Sequence, residues 1–193
     1  MQRWRQTVVV PANGDVISLA VAKQHLRVES TAEDGLISRA AAAAVDYVQN
    51  HSGRRLLTAQ MDLRTTGFPI GSIELPTGPL RSLDAIAYRA DEGSDETVIA
   101  AADYEVLPET DFSRALVVPP TDGWPAADGR FPYPVRLRCT VGYGTAADVP
   151  AALQQALLLL IGHWYENRQE VVVGTVSARV SLAADQLIRD YVI

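Results

Sequence analysis

The chain has 193 residues, of which 48% are apolar and 21% charged, and its formal net charge is −6. That is enough apolar material for a sizeable core and argues against a disordered chain. A protein that clamps phosphates needs a concentrated basic surface; here Lys23 is the only lysine and the arginines are scattered, so the charge suits a surface that repels DNA.

Cys139 is the only cysteine, which rules out an intrachain disulfide. It falls in an alternating apolar pattern and reads as a small buried hydrophobe in a chain made in a reducing cytoplasm. Residues 1–6 carry Arg3 and Arg5 without the apolar stretch of a signal peptide. The strongest apolar run, 156–161, is far short of the roughly 20 residues that cross a bilayer.

In chain order, Ser18 is a good N-cap for a helix over 19–28, with Leu19, Ala22 and Leu26 at helical spacing. Ser30 and Glu33 have the spacing of a capping box. They would open a second helix over 32–51, whose stripe is Leu36, Ile37, Ala40, Ala41, Ala44, Tyr47 and Val48. Gly53 is its natural stop.

From 56 to 141 the texture turns to prolines, turn dipeptides and short β-type runs. Strands are predicted over 61–66, 83–90, 97–99, 104–107 and 115–118, with short extended pieces flanking the turn at 75–80 and a loop over 119–134. Residues 135–141 alternate cleanly, with Val135, Leu137, Cys139 and Val141 on one face and Arg136, Arg138 and Thr140 on the other. That is the mark of a half-buried antiparallel strand.

Asp148 and Pro150 predict the start of the longest helix, running to about residue 169. Its stripe is Leu153, Leu157, Leu160, Ile161 and Trp164. Leu158, Leu159 and Tyr165 fall off that stripe and require a second cover, either the β region or a neighbouring subunit. Residues 171–181 read as extended or loose. A last helix over 182–190 carries Leu182, Leu187 and Ile188, and Tyr191, Val192 and Ile193 end the chain with an apolar tip.

Residue chemistry is sparse. His25, His51 and His163 lack metal-ligand spacing, and there is no Gly-x-Ser-x-Gly elbow. Gly142-Tyr143-Gly144 reads as a turn leaving a strand, Gly67 to Gly71 as a loop, and Asp91-Glu92 and Asp95-Glu96 as solvated turn charges. No catalytic residue, cofactor site or metal site is expected. The segment His163-Trp164-Tyr165-Glu166-Asn167-Arg168 combines aromatics with arginine. Base stacking is one use of that combination; with this charge balance, an interface role for Tyr165 and Arg168 is favoured.

Four segments together resemble the head–tail connector, or adaptor, proteins of long-tailed bacteriophages and related gene transfer particles. They are Ser18-Leu19-Ala20-Val21-Ala22-Lys23-Gln24-His25-Leu26-Arg27-Val28 with the alanine-rich helix to Gly53-Arg54; Leu75-Pro76-Thr77-Gly78-Pro79-Leu80-Arg81-Ser82-Leu83; Val141-Gly142-Tyr143-Gly144 through Val149-Pro150; and 156–168. The likeness spans about residues 18–168 and is looser in the final helix.

It implies an α+β fold: a small helical bundle of N-terminal helices, a long helix near the C-terminus and a short terminal helix, with an inserted, mainly antiparallel β region. One domain over 1–193 is expected, helical over about 18–53 and 148–190 and β-rich over 56–141. The implied role is structural: a ring of about twelve identical subunits beneath the portal protein. Such a ring extends the DNA channel without specific DNA binding and offers a platform for the next neck or tail protein, the stopper. The implied place is the virion neck, with no membrane and no cofactor. Leu158, Leu159, Tyr165 and Arg168 are the candidate subunit contacts. Leu187, Ile188, Tyr191, Val192 and Ile193 are the candidate portal-docking residues, against a last helix that folds back on its own subunit. Another neck or tail-completion protein, a phage-encoded hydrolase and a nucleic-acid-binding module are the competing readings.

Overall fold

The computed structural model describes residues 3–91, 93–109, 114–167 and 177–193. They form two compact units. One is helical, from residues 13–57 and 143–192. The other is β-rich, from the first twelve residues, 58–142 and Ile193.

In the helical unit, α1 (Leu19–Leu26) starts where Ser18 accepts a hydrogen bond from the Val21 amide at 3.3 Å. Helix α2 (Asp34–Ser52) ends at Gly53, whose φ of 75° is the left-handed geometry that glycine adopts without strain. The Ser30–Glu33 capping box is corrected. Ser30 turns instead to the Ala32 amide, and Glu33 at the N-cap makes no capping bond, its carboxylate accepting from the Tyr165 hydroxyl.

A second correction concerns Asp148. It closes a capping box with Thr145 around a 3-10 turn over Ala146–Asp148, and Pro150 occupies the N-cap of α3 (Ala151–Glu166). The last helix, α4 (Ser177–Ile188), begins five residues before the expected 182 and gives way to a 3-10 turn over Arg189–Tyr191. The expected loose stretch is therefore helical from Ser177, and residues 171–176 lie outside the described residues.

Ile37, Ala44, Val48, Leu153, Ala156, Leu157, Leu160, Ile161, Ala184 and Ile188 form the core of this unit. Helices near both ends of the sequence thus pack together. The alanines of α2 leave room for close approach, and Gly162 on α3 lies against the His25 ring, 3.5 Å from where a Cβ would stand.

The β unit holds two antiparallel sheets. The larger has the order β1-β2-β8-β4-β5: β1 is Trp4–Val10, β2 Ala59–Thr65, β4 Leu80–Tyr88, β5 Thr97–Ile99 and β8 Val135–Val141. The smaller has the order β3 (Ile73–Glu74), β7 (Leu116–Val118), β6 (Glu105–Leu107).

Met61 and Leu63 of β2, Ile86 of β4 and Val135, Leu137, Cys139 and Val141 of β8 pack with Ile73 and Val117 of the smaller sheet and with Leu75 and Ala115 beside it. The clean alternation of β8 survives unchanged, buried and half-buried residues succeeding one another along its seven positions. β1 was not anticipated. After Trp4 all its residues are exposed, so it has no period-two signal, and only the β-branched run Thr7 to Val10 betrays it.

Candidate assembly surfaces

Helix α3 is buried through Leu153, Ala156, Leu157, Leu160 and Ile161. Of the off-stripe residues, Leu158 and Tyr165 are half-buried and pack against the same helical core, so a neighbouring helix supplies part of their cover. Leu159 is half-buried and stands apart from that cluster. Arg168 lies outside the described residues. The three histidines are dispersed: His25 faces Gly162, His51 stacks on Tyr47 with centroids 5.7 Å apart, and His163 contacts Asn167 at 3.1 Å.

The C-terminal residues divide sharply. Ile188 is fully buried and Ala184 with it, which seats α4 on the helical core. Leu187 and Tyr191 are half-buried against that core, and the Tyr191 carbonyl accepts from Arg54 Nε at 2.5 Å. The Tyr47 hydroxyl donates to Asp185 at 2.8 Å, tying α2 to α4. Burial first, and then the Asp185 carboxylate, push the Tyr47 phenol above its ordinary range. Val192 is 49% exposed and Leu182, outside the predicted docking set, is 56% exposed. With His51, Asp185, Gln186 and Arg189 they line a shallow groove of about 250 Å³. Ile193 is half-buried and belongs with the β unit.

The outer face of the larger sheet carries a charged ladder, of which the sequence alone shows only the alternation on β8. Register places Asp62 opposite Arg138 and Arg64 opposite Arg136. Arg138 grips Asp62 with both ends of its guanidinium, at 2.8 and 2.9 Å. Arg136 reaches Glu96 at 2.7 Å, and Arg64 reaches the same carboxylate at 3.0 Å. Ala87 of β4, opposite Arg136, has no bulk to block that reach.

The Arg138 hydrogen bond is the main cause holding the Asp62 carboxyl below its usual range. Burial would raise Glu96, but Arg136 and Arg64 outweigh it and hold it low. Asp84 takes the polar groups of Gln60, Ser82 and Thr140. Across β2 and β8 the arginines of this face are thus paired with carboxylates, a poor clamp for phosphates.

At the loop end of the β unit, Phe68 stacks on Trp124 with ring centroids 4.9 Å apart, and Trp124 Nε1 donates to the Gly71 carbonyl at 2.8 Å. Ile70 projects from the same loop fully exposed. Among the described residues no group of three or more His, Cys, Asp or Glu is placed to hold a metal ion. No helix among them is long and apolar enough to cross a membrane.

A four-helix unit joined to an antiparallel β unit with no concentrated reactive cluster among the described residues defines an α+β protein whose distinctive features are surfaces. The pattern that defines the phage gp6-like head-tail connector family matches residues 16–112. The chain belongs to that family. Three solved structures share its fold. One is from the neck of an empty gene transfer agent (GTA) particle computed with C6 symmetry: 22% identical, TM-score 0.79, covering 97% of this chain and 95% of that one. Another is from the virion of a native gene transfer agent particle: 20% identical, TM-score 0.78, covering 97% and 94%. The third is from the neck of a native GTA particle computed with C12 symmetry: 20% identical, TM-score 0.75, covering 97% and 94%. No curated protein matches the chain.

Proposed function

We propose that this connector is a non-enzymatic head–tail adaptor of a phage-like particle. It forms a ring beneath the portal protein, extends the DNA channel and seats the next neck protein, the stopper. The observation that carries the reading is membership of the connector family over residues 16–112. A C12-symmetric neck containing a chain of the same fold supports a ring of twelve. The net charge of −6 and the neutralised arginines of β2 and β8 support a lumen that lets DNA pass without holding it.

In this reading Leu159, with Leu158, Tyr165 and Arg168, contributes to the contact between subunits. The C-terminal segment offers the portal a surface rather than a free tail. Ile188 anchors α4 to the subunit, and the exposed Leu182 and Val192, with Tyr191 and Ile193 beside them in sequence, face the partner. Leu187 shares both roles.

The test is assembly of purified protein on tail-less, portal-bearing heads, imaged by electron microscopy. Native protein is expected to add a ring at the portal vertex. Leu182→Asp with Val192→Asp is expected to remain folded and to fail to add it. Heads that bind no native protein would overturn the adaptor reading. Normal attachment of the double variant would overturn the docking surface alone.

A further inference from the structure

The two edges of the larger sheet differ in charge. At one edge, Arg3 just ahead of β1 and Arg5 on it are both exposed, followed by Val8, Val9 and Val10, which are 45%, 39% and 54% exposed. At the other edge, β5 and the turn that precedes it carry Asp91 and Asp95, both exposed, and Val98, which is 62% exposed.

The basic edge is short of acid. Arg5 stands directly across from Arg64, and Arg64 directly across from Arg136, so three guanidinium-bearing side chains sit side by side on adjacent strands. Glu96 is already shared by Arg64 and Arg136 at 3.0 and 2.7 Å, and Arg136 also lies 3.7 Å from Asp62. Asp62 is held by Arg138 and Asp84 by hydroxyl and amide groups. Among the described residues none pairs with Arg3 or Arg5, or with the side-chain carboxylates of Asp91 or Asp95. Like charges directly opposite on neighbouring strands destabilise a sheet unless an acid is brought to them.

The apolar residues point the same way. β1 is paired along one side only, and beyond Trp4 its side chains are exposed on both faces. A bulge between Val8 and Val10 is the only break in its pairing. Natural edge strands are usually guarded by charge, proline or a cover. Here the guarding charges sit at Arg3 and Arg5 and leave the valines bare.

We propose that the β1 edge is a subunit interface, on which a second copy of this chain docks the opposite edge of its own sheet. Asp91 and Asp95 come to Arg3 and Arg5, and Val98 comes to the exposed valines. Two different, complementary edges of one sheet make a heterologous contact, the kind from which rings close. The inference rests on the ring reading above and adds to it an interface separate from the α3 contacts.

Charge reversal tests it. Arg3→Glu with Arg5→Glu, and separately Asp91→Arg with Asp95→Arg, are assayed for ring formation on portal-bearing heads, with folding followed by circular dichroism. Each pair alone is expected to raise the protein concentration needed for rings by about tenfold, and all four changes together to restore it. In native rings, backbone amides of Thr7 to Val10 and Val98 are expected to exchange hydrogen more slowly than in the free subunit, a readout that needs no variant.

Rings formed normally by both reversed pairs, or equal exchange in ring and subunit, overturn this interface and leave the ring reading standing. Failure of the combined variant to restore assembly overturns the pairing of these two edges. Rings that form normally with Arg3→Glu and Arg5→Glu but no longer retain DNA would show that these arginines serve phosphates, which also overturns it. Absence of rings with native protein fails both readings.

Discussion

Arg138 holds Asp62 by two near-parallel hydrogen bonds, Nε to Oδ1 at 2.8 Å and Nη2 to Oδ2 at 2.9 Å, directly across the β2–β8 pair. Such bidentate geometry is the strongest form of a side-chain ion pair. Arg138 is more than a third exposed, so solvent screens part of the gain. A double-mutant cycle of Asp62→Asn and Arg138→Gln, measured by urea unfolding, is expected to give a coupling of about 1 kcal/mol.

The same ladder sets an acid limit. Asp62 and Glu96 both titrate below their ordinary values of 3.8 and 4.5 in the folded chain. A carboxylate with a depressed folded pKa binds fewer protons folded than unfolded. Its contribution is therefore fully present above the unfolded value and disappears as pH falls through the folded one. Unfolding midpoints are expected to be flat in this respect above about pH 5 and to fall steadily below about pH 4. Asp62→Asn with Glu96→Gln should flatten that fall.

Leu157 and Ile161 are fully buried on α3 among residues of α2 and α4. Leu157→Ala is expected to cost about 2–5 kcal/mol, because the removed methyl groups leave a cavity that only partly relaxes. Chemical denaturation checks it. Leu159→Ala, on the half-buried side of the same helix, should cost less in the free subunit and show its larger effect in assembly.

The Tyr47–Asp185 bond ties the C-terminal helix down. Tyr47→Phe keeps the packing against Trp164, where the rings meet edge to face at 6.2 Å, and removes only the donor. A loss of about 0.5–1.5 kcal/mol is expected, together with faster hydrogen exchange in α4 than in α3.

Cys139 lies fully buried in the β core, and burial pushes its thiol up to about 12. Since the thiolate is the reactive form, the native protein should not react with a thiol reagent at pH 8. Reaction should begin only at denaturant concentrations that unfold the β unit.

The sequence by itself determined the elements whose signal is local. Ser18 caps α1 because a side-chain oxygen three residues from an amide is a local fact, and Gly53 ends α2 for the same reason. Residues 135–141 alternate because each side of a pleated strand meets a different environment, and β8 has those bounds.

Whatever depends on a distant partner was decided by the tertiary structure. Glu33 abandoned its capping role because Tyr165, far along the chain, offers its hydroxyl to the carboxylate. β1 exists because β2 supplies its hydrogen bonds, with no burial to imprint a period on Thr7 to Val10. Arg136 and Arg138 could be placed on one face from the sequence. That Glu96 would cross Ala87 to join Arg64 and Arg136, leaving Arg5 without an acid, follows only from strand order and register. For Ile188 the sequence leaves open a docking contact or a helix folded back on its own subunit, and its burial against the core appears only once α4 is laid there, because burial depends on what the fold brings to a side chain.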